Sequence, residues 1–243
     1  MLIPMKIALL KMGTTMPSVK AQHGDYEDWF AKALEISTEA LIVLDAHAST
    51  PLPHSQSFDG LIISGSAFSV YDREPWSERA AAWIQGHVQA KTPILGVCYG
   101  HQLIAQQRGA RVALSPGGRE IGVCSVQRTQ DDPIFDGLDR EFTVIQTHSD
   151  AVLSPVEGGE IIAQSPEASN QAMRIGQHIR TLQWHPEIPP AVIEEYIHLR
   201  SQDIESEFDA AHVRTLLSRI EPVASGKIIL QNFLKFFVRN ASG

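Results

Sequence analysis

The stretch that decides the fold is Pro93-Ile94-Leu95-Gly96-Val97-Cys98-Tyr99-Gly100-His101-Gln102. Pro93–Val97 reads as a short buried strand. The chain then turns through Gly-x-Cys-x-Gly, and a helical pattern follows from about Gly100 to Gln107. A strand, a tight turn carrying a nucleophile and an immediate helix form the sulfur version of a nucleophile elbow. The turn lifts the Cys98 side chain out of the sheet towards solvent. Gly96 and Gly100 remove side chains where strand and helix come close, and the helix N-terminus favours a thiolate. An ordinary free cysteine is a small buried hydrophobe. Cys124, inside a plain strand pattern, reads that way.

Working outward, short apolar runs alternate with helical patterns. Lys6–Lys11, Ala40–Leu44 and Phe58–Ser64 read as strands, and Asp25–Ile36 and Glu74–Ala90 as helices. Continuous apolar strands alternating with helices indicate a parallel sheet covered on both faces. Past Gly118 the pattern changes to short strands separated by turn residues: Val123–Arg128, Phe142–Gln146, Ile161–Gln164, Ala172–Ile175 and Ile179–Trp184. These read as a meander feeding back to the main sheet. From Pro189 helices return, roughly Ala191–Leu199, Glu207–Ser218 and Gly226–Arg239. The economical organisation is one α/β domain over residues 1–188, with a helical extension over 189–243 packed on it.

A nucleophilic cysteine needs a base. There are ten histidines, so a histidine alone discriminates little. His185 closes a strand and opens His-Pro-Glu, and strand ends of open α/β sheets are where sites collect. Glu187 is then spaced to hold the tautomer of His185, the part of a third triad member. His148, in Gln146-Thr147-His148-Ser149-Asp150, competes as base. That loop reads equally well as substrate-facing or as solvated. For an oxyanion, the backbone N–H of Tyr99 is the first donor expected, and the loop Ser64-Gly65-Ser66 is placed to give a second.

The formal charge of −8 argues against general binding of nucleic-acid backbones, which needs clustered Lys and Arg. The two cysteines are too few for a disulfide scaffold, so a reducing compartment, the cytoplasm, is expected. No run approaches the length of a membrane span. Neither a zinc spacing nor a Walker loop is present, so no metal site is expected.

Gly96-Val97-Cys98-Tyr99-Gly100-His101-Gln102 together with Gln183-Trp184-His185-Pro186-Glu187 resembles the class I glutamine amidotransferase family, over roughly Lys6 to Glu187. Asp132–Leu138 and His148-Ser149-Asp150 are similar to its GMP synthase-like branch. Ser64–Asp72 is similar to γ-glutamyl peptidase-like members, with Gly65-Ser66-Ala67 where Gly-Gly-Pro is usual. The resemblance implies a flavodoxin-like, mostly parallel sheet with helices on both faces. It also implies attack of Cys98 on a glutamine side-chain amide, with proton shuttling by His185 and orientation by Glu187. Ser66 and Tyr99 would serve the oxyanion. Gln102, with Gly65, His148 and Ser149, would contact substrate. No cofactor is implied. The substrate would be glutamine, with a separate synthetase partner accepting the ammonia, or a γ-glutamyl conjugate hydrolysed outright.

Overall fold

A computed structural model describes residues 5–53 and 58–239; the outer ends of the segments expected at 1–188 and 189–243 lie outside the described residues. The apolar runs of the first half form β1 (Ile7–Lys11), β2 (Leu41–Asp45), β3 (Gly60–Ile63) and β4 (Ile94–Val97). The second half supplies β5 (Val112–Leu114), β6 (Glu120–Arg128), β7 (Glu141–His148), β8 (Asp150–Val152), β9 (Gly159–Gln164), β10 (Ala172–Ile175) and β11 (Ile179–Leu182). One sheet runs β2-β1-β3-β4-β11-β10-β9-β6-β7, and β5 pairs with β8 apart from it. The neighbours from β2 to β11 pair in parallel. The meander from β11 through β10, β9 and β6 to β7 pairs antiparallel. The sheet is therefore mixed, with its parallel half first in the chain.

The helices are α1 (Pro17–His23), α2 (Tyr26–Leu34), α3 (Pro75–Gln89), α4 (Tyr99–Gln107), α5 (Pro190–Leu199), α6 (Ser201–Glu207), α7 (Ala210–Ser218) and α8 (Ser225–Asn232), the last running on into a π-helical turn, Phe233–Val238. Strand side chains alternate between the two faces. Ile7 and Leu9 join a core with Phe30 of α2, Ile193 of α5 and Leu230 of α8. Ala8 and Leu10 join the opposite core with Ala80 and Ile84 of α3 and Leu103 of α4.

The helix expected over Glu207–Ser218 begins three residues later, as α7, and the short α6 before it was not expected. α6 ends at Glu207, and Asp209 restarts the chain as an N-cap, accepting the His212 N–H at 2.7 Å. Capping offsets part of the cost of interrupting the backbone ladder. The C-terminal elements belong to the main core. Ile229, Leu230, Phe233, Leu234 and Val238 are all at most 2% exposed. At about 1.5–3 kcal/mol each, their burial rivals the whole stability of an ordinary domain, about 5–15 kcal/mol. The Asp132–Leu138 segment is a structural tie. Asp132 caps a 3₁₀ turn by accepting the Ile134 N–H at 3.1 Å and takes Arg180 Nε on both oxygens, at 2.8 and 2.9 Å. The Arg180 guanidinium lies 4.7 Å above the Phe237 ring.

Candidate active site

Three neighbouring parallel strands end together. Ile63 of β3 pairs with Gly96 of β4, and Val97 of β4 pairs with Leu182 of β11. The segments that follow, Ser64-Gly65-Ser66, Cys98 and Gln183-Trp184-His185, therefore leave the sheet side by side at its carboxyl edge. Cys98 adopts φ 50° and ψ −100°, a left-handed backbone for a residue with a side chain. Such conformations cost about 1–3 kcal/mol and persist only where surroundings enforce them. Here the Cys98 N–H bonds the Leu182 carbonyl at 2.8 Å, and its carbonyl receives the Gln102 N–H at 3.0 Å. Gly100 permits the turn: a Cβ there would lie 2.7 Å from the Ile63 carbonyl oxygen.

The structure brings His185 against Cys98. A Cβ on Gly65 would stand 2.6 Å from His185 Cε1, 3.4 Å from its Nε2 and 3.5 Å from Cys98 Cβ, so all three loops converge on one point. Nδ1 of His185 lies 2.7 Å from Glu187 Oε1. It donates to that carboxylate, which leaves Nε2 for the sulfur. Burial disfavours a charged ring, but the Glu187 carboxylate and the hydrogen-bonded Cys98 sulfur outweigh it and push His185 up to about 10. The ring therefore holds its proton across the neutral range.

Cys98 is only 6% exposed, not on open surface as its lifted position suggested. It opens into a cavity of about 280 Å³ shared with Ser66, Gln102, His148, Ser149 and Asp150. Tyr99 N–H heads α4, where no intrahelical acceptor exists for it. Gln102 Nε2 is bound to the Asp150 carbonyl and to Gln183 Oε1, both at 3.1 Å, so its amide serves the wall. His148 is tied to Asp150 and Gln146 and makes no bond to Cys98 among the described residues. Cys124, expected in the core, is half-buried.

Two basic cavity residues escaped the sequence reading, Arg119 and Arg200. Arg119 forms a two-point pair with Glu207, at 2.6 and 3.0 Å. Arg200 donates to Thr147 Oγ1 at 2.7 Å and lies 5.1 Å over the Tyr196 ring. It has no carboxylate partner among the described residues. Burial is the main effect pulling its guanidinium below the usual value, and the like charge of Arg119 adds to it. A lone basic residue at a helix end gives no local signal of this. The mouth is apolar: Phe68, Tyr71 and Leu114 are 47%, 41% and 66% exposed. A roomier cavity of about 750 Å³ lies against α3, lined by Leu52, Phe58, Trp83 and His87, whose Nδ1 lies 3.3 Å from the Thr92 hydroxyl. Among the described residues no cluster of three or more His, Cys, Asp or Glu could hold a metal ion, and no helix is long and apolar enough to cross a membrane.

The family model described as glutamine amidotransferase class-I matches residues 27–198, which include Cys98, His185 and Glu187. This chain belongs to the class I glutamine amidotransferase family. It is 34% identical over 197 residues to a glutamine-hydrolysing GMP synthase of Thermomicrobium roseum, covering 73% of this chain but only 35% of that synthase. It is 30% identical over 146 residues to γ-glutamyl peptidase 2 of Arabidopsis thaliana, covering 58% of each. A glutamine amidotransferase structure from Thermotoga maritima superposes with a TM-score of 0.76 at 21% identity, over 96% of this chain and 98% of that one. That likeness establishes the fold of this chain.

Proposed function

We propose that this amidotransferase hydrolyses the γ-amide of glutamine through a thioester on Cys98, releasing ammonia and glutamate. The observation that carries the reading is the hydrogen-bonded relay from Glu187 through His185 to Cys98 at the floor of a polar cavity. A cation beside the sulfur favours the thiolate, the attacking form. The sulfur adds to the amide carbon, and the negative oxygen is received by the backbone N–H groups of Tyr99 and Ser66. Collapse expels the nitrogen, which takes the proton of His185 and leaves as ammonia. His185 then removes a proton from water, the hydroxide attacks the thioester, and glutamate departs as the thiolate reforms. The amino-acid end has two counter-charges in the cavity, the unpaired Arg200 guanidinium for its carboxylate and the Asp150 carboxylate for its ammonium. The cytoplasm is the proposed compartment.

The reading is tested by incubating the full chain with glutamine and following ammonia and glutamate. Equal release of both, lost in Cys98→Ala, with a glutamyl adduct trapped on Cys98 by acid quench, is expected. Equal release with Cys98→Ala overturns it.

The exposed apolar rim of Phe68, Tyr71 and Leu114 favours a second reading, hydrolysis of γ-glutamyl peptides or conjugates whose leaving group is larger than ammonia. Turnover of γ-glutamyl dipeptides at least as fast as glutamine would select it. Stimulation only by an added synthetase would select a subunit role, with the ammonia passed to that partner.

A further inference from the structure

His148 lines the cavity, yet the relay does not use it. Its Nδ1 lies 3.0 Å from the Asp150 carbonyl oxygen, and its Nε2 lies 2.8 Å from Gln146 Oε1 and 3.2 Å from Glu120 Oε2. The Gln146 amide nitrogen donates to Glu120 Oε1 at 3.1 Å, which fixes the end that faces the imidazole. Reversing that amide would set its carbonyl against a carboxylate. Both ring nitrogens thus face acceptors only, and each must carry a hydrogen. That arrangement suits a doubly protonated ring, with Glu120, itself 4% exposed, as the carboxylate beside it. Glu120 Oε2 also accepts from Gln171 Nε2 at 2.6 Å. A buried charge deprived of its partner is strongly disfavoured, so Glu120 decides the state of His148.

The consequence reaches the cavity wall. The Asp150 carbonyl receives two donors, His148 Nδ1 and Gln102 Nε2. With that peptide pinned, the Asp150 carboxylate takes the Ser69 hydroxyl at 2.6 Å and the Tyr71 hydroxyl at 3.1 Å. We propose that Glu120, which touches no substrate, is a positioning residue: through the His148 cation it fixes the Ser149–Asp150 wall that receives the amino-acid end of the substrate. The identity of that substrate rests on the reading above. Other charged groups near the ring are Asp150 itself, Arg119 and Arg200 across the cavity, and His101 behind it, which burial keeps neutral by lowering it to about 3. None of them stands where Glu120 does, with a carboxylate oxygen 3.2 Å from Nε2.

The test uses the full-length chain, its Glu120→Gln and Glu120→Asp variants, and three readouts. Nitrogen NMR of the His148 ring, assigned against His148→Gln, is expected to show two protonated nitrogens in the parent and a neutral ring in Glu120→Gln. Amide exchange over residues 147–151 is expected to quicken about tenfold in Glu120→Gln. The KM for glutamine is expected to rise about tenfold with kcat held within about threefold, the split of a binding wall. Glu120→Asp, which keeps the charge, recovers part of each effect and stands in if Glu120→Gln does not fold. A neutral ring in the parent, or exchange and KM unmoved in a variant whose ring is neutral, overturns the proposal. Absence of any glutamine turnover would refute the substrate reading alone, since ring state and exchange still decide the Glu120–His148 pair.

Discussion

Gly65 and His185 meet where a side chain cannot fit: a Cβ on residue 65 would sit 2.6 Å from Cε1 of the imidazole. The ring cannot retreat easily, because Nδ1 is bound to Glu187 and the residue's N–H is bound to the Ile145 carbonyl at 2.9 Å. Gly65→Ala should therefore tilt the imidazole away from the sulfur while leaving the sheet intact. A misplacement of about 1 Å at reacting groups costs on the order of 10²-fold in rate. Steady-state kinetics should show that loss in kcat, with an unchanged melting temperature. Full activity in Gly65→Ala would refute the assignment of His185 as the working base.

The charge of His185 sets a basic limit. An unperturbed imidazole titrates near about 6.5, and here Glu187 and Cys98 together overcome burial to raise it to about 10. Because the folded value lies above the unfolded one, the pair's contribution to stability is complete below about pH 6.5. It is lost as pH climbs through about 10. The leaving nitrogen draws its proton from the same ring, so kcat/KM should fall as pH passes about 10. Glu187→Gln removes the strongest raising partner and should move that limb towards neutral pH. A limb at the same pH in both proteins would detach it from His185.

The two thiols invert the usual link between exposure and reactivity. Cys98 is 6% exposed and Cys124 is half-buried, so access alone favours Cys124. Burial chiefly, and then Glu120 and Glu167, push Cys124 up to about 12, where its thiolate fraction at pH 7 is about 10⁻⁵. Cys98 instead borders a protonated imidazole. Iodoacetamide at pH 7.5, followed by peptide mass spectrometry, should label Cys98 at least about tenfold faster. Equal rates would count against the relay.

How far the sequence could be read followed the range of the signals. Cys98 and His185 each sit in a local pattern, a strand running straight into a turn. Their meeting then follows from β4 and β11 being neighbours in register. Runs such as Ile7–Leu10 and Leu61–Ile63 are apolar at every position because both faces are covered. α1 was not visible, since Val19 is its only buried residue and no periodicity survives. α6 was missed, with Ile204 as its only buried residue, and the helix expected from Glu207 starts only after Asp209, the cap residue of α7. Arg119 and Arg200 were beyond reach: each is a solitary basic residue, and only the closing of β6 and α5 around the cavity gives them a shared role.

Two glycines should answer the same substitution with opposite signs, and the difference tests what the C-terminal helices do. A Cβ on Gly226 of α8 would overlap the Pro186 carbonyl and come within 3.0 Å of Pro186 Cα. Pro186 lies between His185 and Glu187, so α8 bears directly on the turn that aligns them. Gly226→Ala should cost about 1–3 kcal/mol through overpacking and reduce kcat by disturbing the His185–Glu187 bond. Gly86 of α3 is exposed and would place its Cβ in open space. Gly86→Ala should stabilise by about 0.5–1 kcal/mol through helix propensity alone, raising Tm by about 1–4 °C for a chain of this size. Activity should be untouched. Thermal melts and glutaminase rates of the two variants decide the matter, and equal effects on both would dismiss α8 as the support of the active-site turn.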